Sequence, residues 1–174
     1  MILSMRMHNI ALIEDLTLEF GEGLHVMTGE TGAGKSIVVD AVNLVLGGRA
    51  DRDLIRTGTD KAWVEAVFDA DGSREVAEWA KAQSLEDFDG MVTLYREITR
   101  TGRNLCRVCG VVMPVSQLKE VAALLMDVHG QHDAQFLMNS QFHLLFLDAA
   151  GDDTYQALLS RVDDAYQAFI TNHR

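Results

Sequence analysis

Residues Gly29-Glu30-Thr31-Gly32-Ala33-Gly34-Lys35-Ser36 satisfy the spacing G-x-x-x-x-G-K-[ST]. That combination of residue types is built to hold phosphate. The glycines let backbone N–H groups converge on phosphate oxygens with no side chain in the way. A helix opening directly after them adds free N–H groups and the positive end of its dipole. Lys35 reaches β- and γ-phosphates as a mobile point charge, and the Ser36 hydroxyl ligates Mg²⁺ beside them. The expected ligand is a nucleoside triphosphate with Mg²⁺, held by all eight residues, Gly29, Glu30, Thr31, Gly32, Ala33, Gly34, Lys35 and Ser36.

Such a loop works only between a strand and a helix, and the flanking sequence offers both. Leu24 to Thr28 is a short apolar run that reads as a strand entering the loop. Gly34 to Leu46 follows a helical pattern that is apolar nearly all round, so a buried helix is expected, stopped by Gly47-Gly48. Upstream, residues 2–8 read as a first strand. Asp15 to Phe20 alternates Leu16, Leu18 and Phe20 with Thr17 and Glu19 and reads as a second, antiparallel to its neighbour. Downstream, Ala62 to Phe68 is a strand with Val64, Ala66 and Phe68 on one face. Ser73 is the expected N-cap of a short amphipathic helix carrying Val76, Trp79 and Ala80. Met91 to Ile98 and Leu105 to Val112 form a hairpin through Thr101-Gly102-Arg103-Asn104. Pro114 and Ser116 open a helix to about Leu125. Leu124 to Val128 reads as a strand, and residues 141–148 as a helix. From Thr154 the residues Tyr155, Leu158, Leu159, Val162, Ala165, Tyr166 and Phe169 make the narrow stripe of an amphipathic helix. It has no stop signal, which suggests the root of a coiled coil in a longer protein.

Composition bounds the rest. The chain has 174 residues, 48% of them hydrophobic and 24% charged, as expected of one folded domain or lobe. It lacks an apolar run long enough to span a bilayer and lacks a secretory leader pattern, and its two cysteines make no disulfide framework. The expected setting is cytoplasmic, with no membrane partner. A net charge of −11 opposes general binding to nucleic acid by the whole chain. The charge is uneven, however. Residues 91–110 carry Arg96, Arg100, Arg103 and Arg107 against Glu97 alone. Contact with a polyanion is expected there or around Arg49, Arg52 and Arg56.

Six blocks of sequence, in order, resemble one family. Asn9 to Phe20, Gly29 to Ser36, Leu46-Gly47-Gly48-Arg49-Ala50-Asp51 and Ile55-Arg56-Thr57-Gly58 look like the N-terminal head segment of the RecN family. RecN proteins are bacterial repair ATPases related to SMC proteins and to ABC-type ATPases. Pro114-Val115-Ser116-Gln117-Leu118 and His129-Gly130-Gln131-His132 are similar to later segments of the same family. The resemblance implies an α/β P-loop fold of ABC type, N-terminal lobe only, with a mixed sheet and a flanking antiparallel β subdomain. The head lobe would cover 1–150, and 151–174 would start a coiled-coil arm. It implies an ATPase acting in repair of DNA double-strand breaks and recombination, in the bacterial cytoplasm at the nucleoid. Gln131 matches the Q-loop position, reaching Mg²⁺ and the attacking water. Asn9 falls near the base or ribose. Arg49, Arg52 and Arg56 follow the nucleotide-binding helix, where SMC-like heads carry an arginine loop near DNA or the dimer interface.

The complete head of that superfamily also needs an LSGGE-like signature, an apolar strand ending in Asp-Glu and a switch histidine. None is present in these 174 residues. Hydrolysis is therefore expected only when the protein's own C-terminal lobe and a second head, in a homodimer, complete the site, with DNA engaged by the full-length protein. Two rival readings were weighed against this one. A small P-loop kinase or GTPase would need a phosphate-acceptor site or a base-reading Asn-Lys-x-Asp, and neither is found. A Cys₂His₂ zinc module from Cys106, Cys109, His129 and His132 would have a gap of 19 residues between its halves. That gap is longer than in the usual finger, and residues three apart on a strand face opposite sides.

Overall fold

The computed structural model describes residues 1–29, 34–85, 89–126, 128, 144, 147–148 and 151–172. They fall into two compact units, Met1–Val128 and His129–Arg174. The first unit is built on a six-stranded antiparallel sheet. Its strands are β1 (Ile2–Ile10), β2 (Ile13–Glu19), β3 (Lys61–Asp69), β4 (Met91–Thr99), β5 (Asn104–Val108) and β6 (Val111–Val112). Their order across the sheet is β2-β1-β3-β4-β5-β6.

Period-two patterning decides which face of each strand is buried. Ala62, Val64, Ala66 and Phe68 of β3 point to one side, with Met5 and Met7 of β1 and Val92, Leu94 and Ile98 of β4 beside them, all fully or nearly fully buried. Helices cover this side. Helix α1 (Lys35–Val45) buries Ile37, Val38, Ala41, Leu44 and Val45. Helix α2 (Arg74–Ala82) buries Val76 and Ala80 and is capped by Ser73, whose Oγ accepts from the Val76 N–H at 3.4 Å. Helix α3 (Val115–Leu125) buries Leu118, Val121 and Ala122. Each large apolar side chain fully withdrawn from water stabilises the fold by about 1.5–3 kcal/mol before entropy is counted. The other face of the sheet carries a ladder of rings. His8 stacks on Trp63 at 5.7 Å and Trp63 on Tyr95 at 5.8 Å, with Arg6 over Trp63 and Arg107 over Tyr95.

Several sequence expectations are corrected here. Residues 24–28 form no strand among the described residues. Leu24, Val26 and Met27 are 90%, 72% and 52% exposed. A strand exists only as part of a ladder, and no described segment offers this run a partner. Helix α1 is one-sided rather than buried all round: Val39 is 42% exposed, and Asp40 and Asn43 face out. The expected strand Leu105 to Val112 is broken after Val108. Cys109 and Gly110 both take positive φ, 48° and 79°, the two-residue turn that matches sheet twist. Leu124 and Leu125 belong to the end of α3 and not to a strand.

The stop of α1 matches expectation closely. Gly47 has φ +93°, its N–H donates to the Leu44 carbonyl, and the Gly48 N–H donates to the Asn43 carbonyl at 2.7 Å. This is a double-bonded glycine cap. In the second unit, helix α4 (Asp153–Asn172) begins with the Tyr155 N–H bonded to Asp152 Oδ1 at 2.9 Å. Tyr155, Leu158, Val162, Tyr166 and Phe169 are 40–67% exposed along it. Among the described residues no helix is long and apolar enough to cross a membrane.

Candidate functional site

The candidate phosphate-binding loop joins the exposed run 24–29 to α1. Of its eight residues, Gly29, Gly34, Lys35 and Ser36 are described, and Glu30, Thr31, Gly32 and Ala33 lie outside the described residues. Gly34 occupies the N-cap of α1 and so provides no side chain to cap it. The first turn carries no acidic residue, and Val38 makes the first helical bond back to Gly34, 3.1 Å. The leading N–H groups of α1 are thus left for an outside acceptor, with the positive end of the helix behind them. Lys35 Nζ donates to the Gly29 carbonyl at 2.5 Å, bringing the two ends of the loop together. A Cβ added at Gly29 or Gly34 would meet no atom within 4 Å. Packing among the described residues therefore does not require glycine at either position; close approach by a ligand would.

These residues line a cleft of about 470 Å³ together with Ile13, Leu16, Met27, Thr28 and Val38. The lining combines glycine backbone and an ammonium with the apolar side chains of Ile13 and Leu16 from β2, Val38 from α1 and Met27 from the run before the loop. Such a mixture suits a ligand with a charged part and an apolar part. A depression of about 520 Å³ opens at the start of α2, lined by Asp71, Ser73, Arg74 and Asp89 among others. With two carboxylates against one guanidinium it suits a polyanion poorly.

Asn9 lies in β1 with φ 55°, and its Nδ2 donates to the Lys61 carbonyl at 3.4 Å. It does not line the cleft. Gln131 lies outside the described residues. Among the candidate arginines, Arg96 is corrected outright. It is 2% exposed on the core side of the sheet, where Nη2 donates to Asn104 Oδ1 at 3.3 Å and Nε and Nη1 have no hydrogen-bond partner among the described residues. No polyanion reaches it. Arg56 and Arg100 spend their guanidinium groups on backbone carbonyls. Arg49, Arg52, Arg103 and Arg107 are exposed. The sequence conceals the apolar wall: the alternation Ile13, Leu16, Leu18 slips phase, so patterning points to a second strand from Asp15, whereas β2 begins two residues earlier at Ile13.

Among the described residues the cysteines join no cluster of metal-binding side chains. Cys106 is buried, and burial pushes its thiol up against the pull of neighbouring Arg96, so it rests protonated and inert. Cys109 sits in the β5–β6 turn with its Sγ donating to the Met91 carbonyl. His129 and His132 lie outside the described residues, and among those described no cluster of metal-binding side chains occurs.

Comparison with known proteins shows what the chain as a whole resembles. Residues 4–104 match the AAA domain family. Over 170 residues, 98% of the chain, the sequence is 38% identical to the DNA repair protein RecN of Bacillus subtilis (strain 168). The chain spans about 30% of the length of the curated relatives it matches. Among solved structures, an Smc head domain with an extended coiled coil from Pyrococcus furiosus, bound to the C-terminal domain of ScpA, superposes with a TM-score of 0.64. It is 20% identical, covering 98% of this chain and 47% of that one. A structure described as the structural biochemistry of ATP-driven dimerization and DNA stimulated activation of SMC ATPases gives a TM-score of 0.60 at 21% identity. It covers 86% of this chain and 99% of that one. At such identities the likeness establishes the fold, that of an ABC-type P-loop ATPase head.

Proposed function

The chain belongs to the AAA domain family, and from that premise we propose that it is the ATP-binding lobe of an SMC-like ATPase acting in bacterial DNA repair. The observation that carries the reading is the pairing of Lys35 with Gly29 at the start of α1, in a cleft that is also lined by the apolar side chains of Ile13, Leu16, Met27 and Val38. Triphosphate and Mg²⁺ lie against Gly29 to Ser36, with Ser36 as a metal ligand, and the base and ribose lie toward Ile13 and Leu16. Asn9 stands one turn of chain away from that wall, and Gln131 takes the Q-loop role toward Mg²⁺ and the attacking water. What ATP and Mg²⁺ supply when bound is phosphoryl chemistry; what this chain supplies is positioning and charge neutralisation.

Hydrolysis needs the rest of the protein. The exposure of Leu24, Val26 and Met27 at the entrance to the loop supports a C-terminal lobe of the same protein that lays a strand alongside them. A second head completes the site in a homodimer, as the relationship to SMC ATPases suggests. The exposed stripe of α4 supports a coiled-coil arm over 151–174, with the head lobe over 1–150. DNA is engaged by the full-length protein, at the nucleoid in the bacterial cytoplasm.

The test is direct. The 174-residue chain should bind ATP–Mg²⁺ in a titration and turn it over at background rate. Turnover by this chain that survives Lys35→Ala would remove the assignment.

A further inference from the structure

Arg100 stands where β4 turns toward β5, and its side chain leaves its own hairpin. Nε donates to the Thr59 carbonyl at 2.6 Å, and Nη2 donates to the Arg56 and Ile55 carbonyls at 3.0 and 3.4 Å. Its backbone N–H donates to the Asp60 carbonyl at 2.9 Å. One guanidinium thereby gathers the whole segment 55–59, using charge-assisted bonds stronger than those between neutral groups.

That segment in turn grips the β1–β2 turn. The Arg56 N–H donates to the Asn9 carbonyl at 2.9 Å, and its Nη1 donates to the Leu12 carbonyl at 2.7 Å. Its Nη2 lies 3.7 Å from Glu14 Oε2. The Ala11 N–H donates to the Leu54 carbonyl at 2.7 Å, and Ile10 bridges to Ile55. The turn needs such support, because Asn9 and Ala11 both hold left-handed backbone, φ 55° and 48°. The residue after Leu12 is Ile13, and Ile13 is a wall of the cleft. Neither arginine lines that cleft itself.

We infer that Arg100 is a positioning residue for the nucleotide site, acting through Arg56 and the β1–β2 turn on the wall that takes the base and ribose. The inference rests on the nucleotide reading above. The phosphate end, built on Gly29, Gly34 and Lys35, is outside this relay. Loosening the relay should therefore weaken the grip on the nucleoside and spare the grip on the triphosphate.

The experiment titrates Mg²⁺–ATP and Mg²⁺–tripolyphosphate into the 174-residue chain and its variants. Arg100→Ala and Arg56→Ala should each weaken ATP about tenfold, the loss of roughly one charge-assisted bond, and leave tripolyphosphate within about twofold. Because both act in one chain of contacts, the double variant should be no worse than the weaker single by more than about twofold. Arg100→Lys, which keeps one donor, should recover part of the loss. Ile13→Ala trims the wall without touching either arginine and should show the same split between the two ligands, which keeps the test open should Arg100→Ala fail to fold. Unchanged ATP affinity in the arginine variants, equal losses for both ligands, or an Ile13→Ala variant that binds both normally would overturn the relay. Failure of the unaltered chain to bind either ligand would instead overturn the nucleotide reading.

Discussion

Lys35 and Gly29, at opposite ends of the phosphate-binding loop, are joined by a hydrogen bond from Nζ to the carbonyl oxygen. The ammonium is thus held by a neutral acceptor at the site proposed for the phosphates. A triphosphate offers it a charged acceptor in the same place, so binding exchanges a weaker bond for a stronger one. Lys35→Ala should lower ATP affinity by about a hundredfold, the scale of a charge-assisted phosphate contact. Lys35 packs no core, so the melting temperature without ligand should change little. A titration beside a thermal melt checks both, and a large fall in melting temperature would make the lysine structural.

Gln131, proposed as the Q-loop residue, should behave in the opposite way. One neutral ligand to Mg²⁺ adds little to a ground state already held by backbone donors and a lysine. In the transition state the attacking water must be held in line, and a shift of about 1 Å can cost on the order of 100-fold. Gln131→Ala should leave ATP affinity of the chain within a few-fold and cripple turnover in the complete head. Collapse of affinity, or unaltered turnover, would remove Gln131 from the site.

Arg96 is a buried cation on the core side of the sheet, facing Val64 and Cys106 across its neighbouring strands, with Nε and Nη1 lacking a hydrogen-bond partner among the described residues. A buried charge that is not fully hydrogen-bonded costs more than an apolar side chain of similar volume. Arg96→Met should therefore leave the melting temperature unchanged or raise it. A fall of more than about 4 °C, the size of a 1 kcal/mol loss in a domain of this scale, would show that the guanidinium has a stabilising partner.

Tyr95 is pushed up to about 12, chiefly by burial and then by Glu97, whose carboxylate accepts from the hydroxyl at 3.1 Å. The folded chain therefore holds this proton more tightly than the unfolded one, whose tyrosine titrates near 10. Between about pH 10 and 12 the native state carries more protons, so stability is complete below pH 10 and is lost as pH rises toward 12. Ultraviolet titration should show a late tyrosine step absent from Tyr95→Phe, and the variant should lose less stability over that interval. A titration of Tyr95→Phe that loses its step near pH 10 instead of the late one would contradict the geometry.

The G-x-x-x-x-G-K-[ST] pattern is legible because it is local: eight consecutive residues spell it, and the helix after it follows from spacing alone. Ser73 and Gly47-Gly48 were readable for the same reason, as caps act within one turn. The run at Leu24 was misread because apolar character alone does not make a strand; a partner does, and none of the described segments supplies one. The one-sidedness of α1 was hidden by Val39, an apolar residue on an exposed face. Cys109 broke a strand that its neighbours favour, since a positive φ at a non-glycine residue leaves little trace in sequence. The arginine contacts were the least legible. Arg56 and Arg100 meet carbonyls more than forty positions away in the chain, and composition suggested only that such residues face solvent or a polyanion.

The sheet order has a kinetic consequence. Every neighbouring pair of strands is consecutive in the chain except β1 and β3. The hairpins can zip early from local contacts, whereas β1 and β3 must close a long excursion containing the phosphate loop and α1, and that closure carries the largest entropic cost in the sheet. The seam it leaves runs beside the cleft: Ile13 arrives with the β1–β2 hairpin, and Val38 arrives with the excursion. A nucleotide touching both walls fastens the last join to form, and amides of β1 and β3 are where its arrival should slow exchange with solvent the most.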